Sequence, residues 1–520
     1  MFTFPRKHTA INPLTDHKVT SIYEAYKPLR NMMRQCNLEA SLVDIWRLSQ
    51  HITNNGKAPV QAGMPPYSLK QYLFPWDIPT VAREVVLNAH RKGKKRLNSL
   101  NAMRTVVNTI RQVEGMGSKE RLDFEDVLKE LHRISHRQFP CQQQNDWIGL
   151  LRYLKVFGSP EVGPILERET GFTIREYFLL GIWLSAHLQQ RFDINAQEDF
   201  TFIGISREQS LKFFMKLSST VEELQELMVG LQKYDETWEY SWNPLEAKPL
   251  ISLDPQHRHR LYCPVPDLLL RRFSHGMYYD LVKASGFNTA FGISFENYIG
   301  EVLLAVFIPP DFAVYEEEEY YVGKNIHHGA DWILTGADAN LFIECKTKRM
   351  IQAAKFSVGG ADLVGEIGII ADAVVQLYKN VREAEEGRSK WEPNGLPSFP
   401  LVITLEDWFL FGPLPQDLLR TSVVDRMAAE GLEISLLKSM PYAVASAREF
   451  ERFTGVIKEV GIQPFFSGKN DGDYKQWMWE EYAREKYPNA KRTNLNALFR
   501  QDWQRIIPAA AMPDEAVLLT

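Results

Sequence analysis

The stretch Gly329-Ala-Asp-Trp-Ile-Leu-Thr-Gly-Ala-Asp-Ala-Asn-Leu-Phe-Ile-Glu-Cys-Lys-Thr-Lys348 constrains the fold more than any other part of the chain. Two apolar runs, Trp-Ile-Leu and Leu-Phe-Ile, flank turn chemistry at Gly336, Asp338 and Asn340, so the stretch reads as a β-hairpin. Asp331 stands on its first strand, Glu344 and Lys346 on its second. Alternation puts Glu344 and Lys346 on one face, Ile343 and Cys345 on the other. Two carboxylates and an ammonium thus converge at the end of a short hairpin. Such a cluster is costly to desolvate unless a cation neutralises the acids. Asp331 and Glu344 are candidate metal ligands, with the Cys345 carbonyl a further donor. Lys346 is placed to orient or deprotonate a water and to stabilise charge on a pentavalent phosphorus. The chemistry implied is metal-assisted phosphodiester hydrolysis. A plainer reading stands beside it, in which Asp331 starts a strand and pairs with Lys346 or Lys348 without catalysis.

The surroundings of the hairpin have their own pattern. Upstream, Phe295, Ile299, Val302, Leu303 and Val306 recur with helical periodicity and place Glu296 on the same helix. Glu301 competes with Glu296 as a functional acid on that segment. Residues 313–322 read as a strand. Downstream, Ile367, Ile370, Val374, Leu377, Tyr378 and Val381 mark a long helix, and a strand follows at 399–405. Asp331, twelve intervening residues, then Glu344-Cys-Lys346 in this order of elements resembles the PD-(D/E)xK nuclease superfamily, the restriction-endonuclease-like fold. The resemblance covers roughly residues 285–440. It implies a mixed central sheet, Mg²⁺ as cofactor with Mn²⁺ able to substitute, and Asp331, Glu344 and Lys346 as catalytic residues. Glu296 matches the extra helical carboxylate of many members. Ala330 stands where the superfamily's name has proline. Gln376 is present, but Asn380 replaces the tyrosine that some exonuclease branches carry four residues later. Gln376, Lys379 and His328 are further candidates to face the site. DNA is favoured over RNA as substrate, because most members cut DNA. A helical region fused to such a nuclease suits prokaryotic anti-phage defence or restriction, by analogy alone. The competing class is a non-cutting nucleic-acid-binding or scaffold protein that keeps the fold.

Bulk properties narrow the remaining classes. A chain of 520 residues with 45% hydrophobic and 24% charged residues is ordinary globular material for two to four domains. With a net charge of −5, nucleic-acid binding must come from local patches. The longest apolar helical run, 177–188, is too short to cross a bilayer, and the N-terminus lacks the apolar core of a signal peptide. Cys36, Cys141, Cys263 and Cys345 lie far apart, without zinc-site spacing. A soluble, cytoplasmic protein is expected. No GxxxxGK[ST] loop exists, so no nucleotide cofactor is expected, and Gly115-Met-Gly-Ser-Lys119 lacks P-loop spacing. Neither a GxSxG elbow nor an HExxH helix is present. A partner protein or a homo-oligomer is left open.

Patterning divides the chain into a mainly α-helical region over 1–240, a linker with short strands over 241–284, the α/β nuclease-like domain over 285–440, and a helical C-terminal segment over 441–520. Capping boxes are read at Thr173/Glu176, Ser206/Gln209 and Ser446/Glu449, with Asp123 a further cap. The aromatic run 474–482 reads as helical. The segment His90-Arg-Lys-Gly-Lys-Lys-Arg96 concentrates Arg91, Lys92, Lys94, Lys95 and Arg96, flanked by Arg83, Arg104 and Arg111. It reads equally as a phosphate-gripping loop and as a solvated basic loop. His257-Arg-His-Arg260 and Arg271-Arg272 are further basic candidates. The run 316–319 reads as a solvated edge strand.

Overall fold

The computed structural model describes residues 21–53, 73–118, 124–142, 147–316, 318–356 and 360–506. Lys119, Asp123 and Glu317 lie outside them. Helices dominate the first half, as their periodicity requires. Three-residue strands interrupt them: β1 (Asp193–Asn195), β2 (Ser218–Thr220), β3 (Leu250–Ser252) and β4 (Arg260–Tyr262) form one sheet in the order β1-β4-β3-β2. The expected strands near 250 and 260 are β3 and β4. β1 and β2 are too short to show alternation.

The larger sheet follows. β5 (Ala313–Glu316), β6 (Glu319–Val322), β7 (Asn325–His328), β8 (Trp332–Thr335), β9 (Asn340–Lys346), β10 (Ser398–Thr404) and β11 (Ala443–Ser446) come next in the chain. Five of them make one sheet in the order β11-β10-β9-β8-β5. β5, β8 and β9 are antiparallel neighbours, whereas β9, β10 and β11 run parallel. The parallel steps need crossovers, supplied by the helices Ala361–Glu385 and Pro413–Ala429. The single strand expected over 313–322 is two strands: β5 joins the sheet, while β6 turns back at Gly323 (φ 64°) into a hairpin with β7.

Alternation decides which side chain meets which layer. Leu341, Ile343, Cys345, Leu401 and Ile403 enter one core with the helices Phe287–Val306 and Ala447–Val460. Phe342 and Val402 enter the opposite core with Ile367, Ile370 and Val374. Glu344 and Lys346 share the face of Phe342.

Packing crosses the expected domain limits. The helix Trp147–Phe157 contributes Leu151, Leu154 and Phe157 to the core of the large sheet. There Arg152 Nε and Nη2 donate to Glu451 at 2.6 and 2.8 Å, and Tyr298 donates to the same carboxylate at 2.8 Å. The helices Ile22–Met33, Asp77–Asn88 and Leu100–Ser118 share a second core with Leu245, Ile251 and Val265. A limit at 240 therefore marks a change in local patterning, not a gap in buried surface. The limit at 440 falls before β11, which is part of the sheet. The helix expected over 474–482 breaks at Met478, extended at φ −66°, ψ 153°, between a 3-10 turn and the helix Trp479–Lys486. All three expected capping boxes form, and Thr220 with Glu223 makes a fourth. Among the described residues no helix is long and apolar enough to cross a membrane.

Candidate active site

The turn of the hairpin fixes its register. Gly336 N–H donates to the Ala339 carbonyl at 2.9 Å, and the Thr335 hydroxyl donates to Asn340 Oδ1 at 2.9 Å. Asp338 reaches outward and accepts from the backbone of Ile462 and Gln463, tying the turn to the helix Ile462–Lys469. Trp332 then lies opposite Ile343, so Asp331, one residue earlier, comes beside Glu344. Cys345 N–H donates to Asp331 Oδ2 at 2.6 Å, and the Lys346 ammonium donates to Glu344 Oε1. The Lys346 carbonyl accepts from Leu405 N–H of the neighbouring chain segment. The Cys345 carbonyl therefore points to the other side of the strand, toward Asp331. The Cys345 thiol faces the core, where burial pushes its pKa well up, so only its carbonyl is a candidate ligand.

Glu296 reaches this cluster by a specific notch. A Cβ at Gly300 would lie 2.0 Å from the Trp332 ring, so only glycine lets β8 approach the helix Phe287–Val306 this closely. Trp332 Nε1 donates to the Glu296 carbonyl at 2.9 Å across the same contact. The consequence is electrostatic. Burial, then the charges of Glu344 and Glu296, push the Asp331 carboxyl up to about 8. Burial alone would lower the Lys346 pKa, but Glu344 and Asp331 outweigh it and raise it. Lys346 is thus a firm cation, suited to orienting a nucleophile and stabilising phosphoryl charge rather than to removing a proton. Glu301, the competing acid, pairs with Lys155 at 2.6 Å.

Comparison with protein-family models, with curated proteins and with solved structures finds no match to this chain. Its chemistry rests on its own geometry.

The donor set fits a hard divalent cation. Asp331, Glu344 and the Cys345 carbonyl offer oxygen ligands, and a cation would offset both the burial and the acidic repulsion that lift Asp331. Among the described residues no group of three or more His, Cys, Asp or Glu is gathered tightly enough to hold a metal alone. Mg²⁺ is commonly bound through one or two carboxylates with water and phosphate oxygens completing the sphere.

Other expected site residues are placed elsewhere. Gln376 is exposed and donates to Asn380 Oδ1 at 2.8 Å, and Lys379 pairs with Glu430 at 3.0 Å. Both lie ten or more residues along the helix from Glu366, which pairs with Lys348 just past the strand end, and ten residues are about 15 Å of helical rise. His328 is exposed on β7, 4.0 Å from Glu319. The basic loop is partly structural. Arg96 makes two bonds to the buried Asp44, at 2.7 and 3.2 Å, and Arg91 pairs with Glu222 at 3.3 Å. Lys92, Lys94 and Lys95 are exposed. Of the flanking residues, Arg83 pairs with Glu84 in the core and Arg111 with the buried Asp77. Arg272 is buried against Asp280, and His257 bonds Asp254 at 2.6 Å. Arg83, Arg96, Arg111 and Arg272 are thus taken up by buried or nearly buried carboxylates.

The sequence reading missed the residues that frame the cluster. Glu366 pairs with Lys348 at 3.2 Å. Arg349 pairs with Glu406 at 2.9 Å, which also accepts from Tyr153 at 2.7 Å and meets His275 at 3.2 Å. Burial would raise the Glu406 pKa, yet Arg349 and His275 hold it down to about 2. The only sequence signal was position: Arg349 follows Lys346 by three residues, and Glu406 follows the apolar run of β10.

Proposed function

We propose that this protein is a metal-dependent nuclease that hydrolyses phosphodiester bonds, DNA before RNA, with a restriction-endonuclease-like core. The observation that carries the reading is the convergence of Asp331, Glu344 and Lys346 at one strand end, with the Asp331 carboxyl lifted by burial and by its acidic neighbours. The element order supports it too: a helix bearing Glu296, a hairpin, a crossover helix and a parallel strand. Asp331, Glu344 and the Cys345 carbonyl would hold Mg²⁺ or Mn²⁺, which supplies charge neutralisation and an acidified water. Lys346 orients the attacking water and meets the negative charge that grows on the phosphoryl oxygens. Glu296 and Asp331 keep the site acidic enough to favour a cation. A prokaryotic restriction or defence role is the setting such an arrangement suits.

The second reading is a non-cutting nucleic-acid-binding or scaffold protein. The ion pair between Lys346 and Glu344 favours it, because it satisfies both charges without a metal. The test is incubation of the pure protein with plasmid, linear DNA and RNA in Mg²⁺, Mn²⁺ or EDTA. Cutting is expected with metal only, and Lys346→Ala and Glu344→Ala should each slow it by about 10²-fold or more while leaving circular dichroism unchanged. Full cutting by Lys346→Ala would remove the reading.

A further inference from the structure

A cavity of about 330 Å³ opens at the C-terminal ends of β10 and β11, one strand over from Lys346. Thr404 lines it, and Thr404 is the register partner of Lys346 on the neighbouring strand, on the same face of the sheet. Adjacent strands lie about 4.8 Å apart, so cavity and cluster share one strand end. Two further bonds tie them together: Leu405 N–H to the Lys346 carbonyl at 2.9 Å, and Trp408 Nε1 to the Lys348 carbonyl at 3.3 Å.

The walls are aromatic and unusually available. Phe139, Phe409, Phe411 and Trp477 line the cavity while keeping part of their ring surface accessible. Phe139 and Phe411 lie nearly parallel at 5.8 Å. Phe409 has φ 47°, a left-handed conformation that a bulky side chain adopts only under constraint. It is held there by edge contacts with His136 at 4.9 Å and Phe139 at 5.3 Å. Strain of this kind clusters at ligand sites. Polar groups complete the lining. Lys469 donates to the Tyr474 carbonyl at 2.7 Å, and Glu449 accepts from Ser446 and Trp479 N–H. Burial and the Asp407 charge push Glu449 up to about 7, and burial pulls Lys469 down to about 8. At the cavity wall Lys469 thus remains an ammonium donor near neutrality, beside a Glu449 carboxyl that is only partly ionised.

We propose that this cavity takes a single unstacked nucleobase of the strand held at Lys346, between the rings of Phe411 and Trp477. The inference rests on the nuclease reading, which puts a phosphodiester at Lys346 and so brings that strand to the cavity. Stacking on aromatic rings with hydrogen bonds to the base edge is how proteins hold an extruded base. The chemistry is that of a base in either DNA or RNA.

The test is a thermodynamic cycle on the full chain in Ca²⁺. Short single strands and duplexes of DNA and RNA are titrated intact and with one abasic position scanned along the strand. Phe411→Ala and Trp477→Ala are both at partly exposed positions, and their melting temperatures confirm folding. Each should bind the intact strand about tenfold more weakly. Neither should lose further affinity at the abasic position that costs the wild type the same factor. Equal intact-to-abasic ratios in wild type and both variants would overturn the proposal, as would no binding of any strand. Cutting is measured in parallel. A flat cycle with cutting removes the cavity proposal alone, and a positive cycle without cutting removes the nuclease reading alone.

Discussion

Asp331 carries the clearest physical signature of the site. Burial first, and then the charges of Glu344 and Glu296, lift its carboxyl to about 8 from an unfolded value of about 3.9. The folded protein then binds more protons than the unfolded chain between these values. Without metal, stability contributed at this position is present below about pH 4 and is lost as pH rises toward 8. Melting temperatures in EDTA should fall over that range more steeply for the wild type than for Asp331→Asn. Parallel pH profiles for the two proteins would mean that Asp331 is not held as the structure places it. The candidate trio of Asp331, Glu344 and Lys346 was legible because a hairpin and its alternation are local properties. Glu406 and Glu366 were not legible, because their partners Tyr153 and Lys348 come from elements whose docking no local pattern encodes.

Among the elements, the basic loop is the one whose role the structure divides. Residues 90–96 are clamped against 35–37: Asn37 N–H donates to the Lys95 carbonyl at 2.8 Å, and a Cβ at Gly93 would lie 2.0 Å from the Cys36 carbonyl oxygen. That clamp presents Lys92, Lys94 and Lys95 outward while Arg96 turns in to Asp44. Replacing the three lysines with glutamine should weaken nucleic-acid binding regardless of sequence. It should also flatten the log–log salt slope by about 0.9 for each duplex phosphate that no lysine neutralises any longer. Arg96→Ala should instead cost about 1 kcal/mol of stability and so lower the melting temperature, because Asp44 stays buried. An unchanged salt slope in the lysine variant would return the loop to a solvated surface. Element types were legible wherever caps and periodicity agreed, as at Thr173, Ser206 and Ser446. They were not where tertiary pairing decided: the 313–322 run divides because β5 finds β8 while β6 finds β7.

Across the whole molecule, helices from the first half complete the core of the sheet. Arg152 and Glu451, 299 residues apart, form a buried pair that joins the helices Trp147–Phe157 and Ala447–Val460. Removing one partner leaves a charge without compensation, so Arg152→Ala should cost about 3–5 kcal/mol. Replacing both residues with leucine should recover much of that loss. Denaturant melts of the single and double variants check it, and a harmless Arg152→Ala would mean that the two halves pack independently. Expected limits at 240 and 440 followed changes in patterning, at Pro244 and Pro249 and ahead of the capping box at Ser446 and Glu449. Neither change reports buried surface shared between distant segments.

The most direct test of the active site needs no substrate. Wild type and Asp331→Asn are melted in EDTA and in excess Mn²⁺. A cation that binds only the folded protein stabilises it by mass action. Mn²⁺ should therefore raise the wild-type melting temperature, and Asp331→Asn should lose most of that rise while melting no lower than wild type in EDTA. An equal response to Mn²⁺ in the two proteins would contradict the account and take Asp331 out of the site.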